Sequence, residues 1–209
     1  SFLNRLYRGE CSEVQGSVAV IGDGNSAFDC ARVLVRLGAE VTLLSWFSRD
    51  VIPADPEEVS AAIAEGVTIQ DRLRVVAFLG ERGKLERICC APTIPGTPDK
   101  NGIAWPVTDT AGTQREFSFD RAYVAIGQAG PLKSALETGG LRVSRQGYLV
   151  TDAQMRTSMT RVMAAGDAVT GPTSVVEAMA SGRNAARSIL QAVFKKTFAP
   201  APVQRPEDR

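Results

Sequence analysis

The chain has 209 residues, 44% of them apolar and 22% charged, with a net charge of +1, the balance of an ordinary soluble globular protein long enough for one large or two small domains. A nearly neutral chain offers no electrostatic footprint for nucleic acid, and no apolar run approaches the roughly 18–20 residues of a membrane span. Histidine is absent, which removes His-based triads, proton relays and His metal sites and favours chemistry carried by a cofactor.

In chain order, Phe2, Leu3 and Leu6 stand at helical spacing before breaks at Gly9 and Gly16, so residues 1–14 read as a short lead-in helix and linker. A strand is expected over 17–22. It runs into Gly22-Asp23-Gly24, and a helix over about 25–37 follows, stopping at Gly38. Strand, glycine turn and helix in that order are what a nucleotide pyrophosphate site needs. Gly22 permits the tight turn, and Gly24 lets the backbone approach the phosphates. Asn25 and Ser26 open the helix whose free N–H groups would meet the anion, and Ala27 is small enough for close helix–strand packing. Val41–Leu44 is a second strand, apolar enough to be parallel and buried on both faces.

The tip of that second strand distinguishes NAD, through an acid for the ribose 2′-OH, from NADP, through arginines for the 2′-phosphate. Here it reads Ser45-Trp46-Phe47-Ser48-Arg49-Asp50, with no acid at the tip and one late arginine. Two readings stand side by side: Trp46 stacks on adenine while Arg49 and Ser48 hold a phosphate, or the aromatic pair packs under a loop. A helix over about 56–65 begins at a proline with acids in its first turn, and 67–69 is a third strand. Residues 74–79 and 85–90 predict an antiparallel hairpin. A polar, proline-containing loop over 92–114 precedes a strand at 115–119 that completes a small meander.

Beyond it, Ala122–Ile126 reads as another buried strand, ended by Gly127, and Tyr148–Val150 as a strand-like stretch. Arg161–Ala165 reads as a strand followed by Gly166-Asp167, and a long helix begins after Gly171-Pro-Thr-Ser174. Its residues Val175, Met179, Gly182, Ala186, Ile189 and Val193 form one apolar stripe, which must be buried along most of its length. An acid after a buried strand and before a helix N-terminus can accept hydrogen bonds from ribityl hydroxyls, and the helix amides can face a flavin's pyrimidine ring. For Asp167 alone, a capping or loop acid is the competing reading. The tail from Phe198 is extended and polar.

Ile21-Gly-Asp-Gly-Asn-Ser-Ala-Phe-Asp-Cys-Ala-Arg32, Ile52-Pro-Ala54 with Pro56-Glu-Glu58, Ala125-Ile-Gly-Gln128, and Ala165-Gly-Asp167 with Gly171–Ala178 and Gly182-Arg183 together resemble the glutamate synthase small subunit and its relatives. These are FAD-dependent NAD(P)H oxidoreductases of the two-dinucleotide flavoprotein type. The resemblance implies an α/β fold, a Rossmann-like parallel sheet with a β-meander, truncated relative to the whole flavoprotein. It implies an NAD(P)-binding domain over 15–127, the C-terminal part of an FAD-binding domain over 128–196 and a tail over 197–209. Gly22, Gly24, Asn25, Ser26, Trp46 and Arg49 would then contact NADP or NAD, Asp167, Ser174 and Val175 would face FAD, and Gly127 and Gly166 would be cofactor-binding as well. The family's paired arginines after the second strand align with Trp46 and Phe47, and its iron–sulfur segment and first FAD half have no counterpart, so an excised piece is expected, one that does not retain FAD on its own.

With hydride passing between two cofactor rings, no catalytic side chain is expected. The partners implied are a nicotinamide dinucleotide and the missing FAD and iron–sulfur segment, with self-association, a homodimer included, through uncovered apolar surface. The competing reading is a drifted nucleotide module kept for docking. A short-chain dehydrogenase is disfavoured, because Tyr7, Tyr123 and Tyr148 all lack a lysine four residues on. Of the four cysteines, Cys11 and Cys30 stand alone, and the adjacent Cys89 and Cys90 would point to opposite faces of a strand. With no CxxC, they suggest a reducing, cytoplasmic compartment. Ser1 in place of Met, with no signal peptide after it, also suggests a processed or excised piece.

Overall fold

Strand β1 (Ser17–Ile21) lies between two parallel neighbours, β2 (Glu40–Leu44) and β8 (Arg121–Val124). The computed structural model describes residues 2–10, 12–99, 102–127 and 139–195. Cys11, Gln128 and the tail from Phe198 lie outside them. With β3 (Thr68–Gln70) the parallel sheet has the order β3-β2-β1-β8. Because strand side chains alternate between faces, Val18 and Val20 enter one apolar cluster and Ala19 enters another. The first cluster is closed by helix α2 (Asn25–Arg36), whose Phe28, Ala31 and Leu34 are fully buried against Val41 and Leu43. Burying each large side chain there contributes roughly 1.5–3 kcal/mol. The lead-in helix α1 (Phe2–Tyr7) joins the same cluster through Phe2, whose ring centroid lies 4.6 Å from that of Tyr123.

Helix α3 (Pro56–Ala64) starts with Pro56 and is capped by Asp55, whose carboxylate accepts the Glu57 N–H at 2.8 Å. It is fastened to α2 by ion pairs: Arg32 to Glu58, Arg32 to Glu65 at 2.7 Å and Arg36 to Glu65 at 2.6 Å. Hydrogen bonds from these two guanidinium groups hold the Glu65 carboxyl down at about 2.

The second cluster joins the sheet to an antiparallel meander: β4 (Leu73–Leu79), β5 (Arg87–Pro95), β6 (Pro106–Thr108) and β7 (Arg115–Ser118). β5 is the central strand, pairing β4, β6 and β7. The expected loop over 92–114 is therefore too long: its first part continues β5, and residues 106–108 form β6. Prolines suggested a loop because they cannot donate to a ladder. Here Pro92 uses only its carbonyl, which accepts the Asp109 N–H at 2.8 Å, and Pro95 stands opposite Pro106 at the end of its pairing. The expected burial of Ala122–Ile126 is also corrected. β8 is an edge strand, and Val124 and Ile126 are exposed because no further strand covers them among the described residues.

The chain divides into two compact units between Gly127 and Gln128. In the second, the strands expected at Tyr148–Val150 and Arg161–Ala165 are isolated bridges only, Val143 with Leu149 and Arg156 with Met163. A strand needs a ladder on at least one side, and Arg161, at φ 65°, turns the chain where the second would begin. Helix α4 (Asp167–Thr170) is a single turn, and α5 (Val175–Phe194) is the long helix. Its apolar stripe is uncovered, contrary to the expected burial: Val175, Met179 and Val193 are 75%, 70% and 64% exposed, and only Ala185 is buried. Apolar periodicity records a face that demands a partner, and no described residue supplies one.

Candidate functional site

The two glycines at the end of β1 do different work. Gly22 has φ +149°, and a Cβ placed on it would come within 2.3 Å of the Ala125 carbonyl oxygen and 3.1 Å of the Ala27 Cβ. Its glycine identity is thus required by the fold, where β1 turns between the end of β8 and the start of α2. Gly24 is the N-cap of α2 in an ordinary extended conformation, φ −91° and ψ 170°. A Cβ there would meet nothing within 4 Å. No side chain caps the helix, so its first turn presents amides and the positive dipole end to open space. Gly24, Asn25 and Ser26 are all exposed. The Asn25 side chain is engaged, its Oδ1 accepting the Asp55 N–H at 2.8 Å. Bare backbone at a helix start, on glycine that the fold does not require, is the room a diphosphate takes. The residues present fit a dinucleotide.

The register of Ile21 with Leu44 brings the residues after β1 beside those after β2. Asp23, between the glycines, is the residue that sequence reasoning missed. Its Oδ1 accepts the Ser45 hydroxyl, the Trp46 N–H at 2.9 Å and the Phe47 N–H at 3.4 Å. Burial raises the Asp23 carboxyl above its ordinary 3.8, opposed by the lowering effect of these hydrogen bonds. The signal was available: in a parallel βαβ unit an acid between the glycines stands next to the tip of the following strand.

Trp46 is half-buried under the Arg74 guanidinium, 5.6 Å from the ring centroid. Its carbonyl accepts the Thr93 hydroxyl at 2.8 Å. The Trp46 Nε1 is buried without a partner, alone in this among the side-chain atoms of the described residues. Phe47 is buried edge-on to Trp105, with centroids 5.7 Å apart. A cavity of about 210 Å³ opens beside the tip, with Trp46, Phe47, Arg72, Ile94 and Pro106 in its wall. Arg49 is exposed on a 3₁₀ turn (Arg49–Val51), and its N–H donates to Asp71 Oδ2 at 3.0 Å.

Gly127 is exposed at the end of the first unit, with φ +91° and open space around it. In the second unit Gly166 has φ +64°, and its N–H donates to Ser181 Oγ at 3.0 Å. Asp167 is exposed and accepts the Thr173 hydroxyl at 3.4 Å. Ser174 is committed to capping α5: it accepts the Glu177 N–H at 3.2 Å, while the Glu177 carboxylate accepts the Ser174 N–H at 3.0 Å. The Ser174 hydroxyl also donates to Glu177 Oε2 at 2.8 Å, and this hydrogen bond, followed by that from the Ser174 N–H, lowers the Glu177 carboxyl. Val175 projects from the first turn of α5.

The chain belongs to the pyridine nucleotide-disulphide oxidoreductase family, whose pattern matches residues 4–182. Among curated relatives, it is 39% identical over 202 residues to the NADP(+)-dependent formate dehydrogenase subunit beta of Moorella thermoacetica, covering 95% of this chain and 28% of that protein. It is 31% identical to the NADPH-Fe(3+) oxidoreductase subunit beta of Geobacter sulfurreducens, covering 90% and 31%. To the glutamate synthase [NADPH] small chain of Halomonas elongata it is 32% identical, covering 83% and 37%. The chain thus spans about a third of the length of these relatives. Among solved structures, the thioredoxin reductase of Lactococcus lactis superposes with a TM-score of 0.70 at 19% identity, covering 92% of this chain and 57% of that one. That of T. acidophilum gives 0.69 at 21%, covering 86% and 53%. The fold is that of the two-dinucleotide flavoproteins.

Proposed function

We propose that the chain is the nicotinamide-nucleotide module of a larger FAD-dependent oxidoreductase, in which NADH or NADPH yields hydride to FAD. Gly22, Gly24, Asn25 and Ser26 seat the pyrophosphate, Trp46 and Arg49 flank the adenosine end, and Gly127 borders the nicotinamide half. Gly166, Asp167, Ser174 and Val175 meet FAD once the rest of its site is supplied by the parent protein. FAD, when bound, supplies the two-electron acceptor. The residues of this chain bind, orient and exclude water, and no side-chain acid or base is required.

The observation that carries this reading is the uncapped start of α2 at Gly24, open where the fold itself would tolerate a side chain. The free thiols Cys30, Cys89 and Cys90 support a reducing, cytoplasmic setting. A second reading, a docking module with a drifted nucleotide site, is favoured by the packing of Trp46 and Phe47 into the meander side of the unit. Titrating the chain with NADH and NADPH separates the two. Dissociation constants in the micromolar range support the oxidoreductase module, whereas no binding of either at millimolar concentration supports the docking module. The preparation should be colourless, and stoichiometric yellow flavin would contradict an incomplete FAD site.

A further inference from the structure

The tip of β2 is where a dinucleotide-binding unit reads the adenosine ribose, and there this chain has already placed an anion of its own. The Trp46 and Phe47 amides and the Ser45 hydroxyl all point at Asp23 Oδ1, the second and third residues beyond β2 supplying the backbone donors. A 2′-phosphate arriving at this point needs such donors and finds them occupied by a carboxylate. It would also bring further negative charge against that carboxylate. A ribose diol has the opposite requirement. Its hydroxyls need an acceptor, and Asp23 Oδ2 has no hydrogen bond among the described residues.

The cations nearby do not offset this. Arg74 lies over the Trp46 ring and donates to Thr108 Oγ1 at 3.2 Å. Arg72 is opposed by Asp50, whose carboxyl it helps to lower after the Ser48 side-chain and its own backbone hydrogen bonds. Arg49 sits further along, on the turn tied to Asp71.

We infer that Asp23, although it comes from the glycine turn rather than from β2, is the specificity-determining acid of this site and selects NADH over NADPH. The inference rests on the nucleotide-binding reading above. It sets this chain apart from the relatives whose names specify NADP(+) or NADPH.

The test is a fluorescence titration of the full chain with NADH and with NADPH, in the wild type and in Asp23→Asn. In the variant the amide oxygen can keep the three donors of Oδ1 while Nδ2 becomes a donor toward the ligand. The wild type should bind NADH at least about tenfold more tightly than NADPH, a difference of about 1.4 kcal/mol. In the variant the NADPH affinity should rise and the ratio should fall toward one. Equal affinities in the wild type, tighter NADPH binding, or a ratio unchanged in a folded variant would overturn the inference. If Asp23→Asn does not fold, competition in the wild type decides. Tighter binding of 5′-AMP than of adenosine 2′,5′-bisphosphate supports the assignment, and the reverse overturns it. If no adenine nucleotide binds at all, the nucleotide-binding reading fails first and takes this one with it.

Discussion

Replacing each glycine of the turn by alanine should separate the fold from the ligand. In Gly22→Ala the new methyl meets the Ala125 carbonyl oxygen at 2.3 Å and its carbon at 2.9 Å, both backbone atoms. Relief means moving the end of β8, whose Ala125 N–H donates to Ile21 O at 2.8 Å and so closes the pairing with β1. Holding a residue with a side chain at φ +149° adds about 1–3 kcal/mol of backbone strain. Overpacking adds about another 1–3 kcal/mol. The variant should therefore lose about 2–6 kcal/mol on those two terms, read as a lower urea midpoint at unchanged slope.

In Gly24→Ala the backbone angles are ordinary and the methyl meets nothing. Alanine at an N-cap is worse than glycine by roughly 0.5–1 kcal/mol. Restricting the unfolded chain returns about 0.4–1 kcal/mol. Stability should stay within about 0.5 kcal/mol of wild type on those two terms, while dinucleotide affinity falls at least about tenfold because the methyl fills the space the phosphates need. A destabilised Gly24→Ala, a neutral Gly22→Ala, or unchanged nucleotide affinity in Gly24→Ala would refute the division of labour.

Further outcomes can be measured on the same preparation. Leu34→Ala removes a fully buried side chain from the cluster between α2 and the sheet and should cost about 2–5 kcal/mol, the spread depending on how far the cavity collapses. Glu65 has a folded value of about 2 against an ordinary 4.5, so its contribution is present above pH 4.5 and is lost as pH falls toward 2. Thermal melts of Glu65→Gln against wild type should therefore show a gap at neutral pH that closes over that interval, and a pH-independent gap would contradict the assignment to Arg32 and Arg36. The uncovered stripe of α5 should make the isolated chain self-associate. Met179→Lys with Val193→Lys should shift sedimentation toward the monomer, and a monodisperse wild-type monomer would argue against an adhesive stripe.

Some of the molecule is determined locally and was legible in the sequence. Val18–Ile21, the two glycines, the helix from Asn25 and the apolar Val41–Leu44 specify a parallel βαβ unit because period, turn chemistry and helix punctuation agree there. The proline start of α3, with acids in its first turn, is of the same kind. What only the tertiary structure decided are relations between segments distant in the chain. Gly22 is required by the carbonyl of Ala125, and Asp23 is given its role by the amides of Trp46 and Phe47. Pro92 is accepted inside β5 because Asp109 uses its carbonyl and nothing needs its missing N–H. The residues of Arg161–Ala165 have strand propensity but no ladder, and the α5 stripe has apolar period but no cover. A sequence fixes what a segment demands of its surroundings, through side-chain period, charge and backbone freedom. Whether the demand is met depends on which other atoms arrive there, and that is a property of the assembled chain.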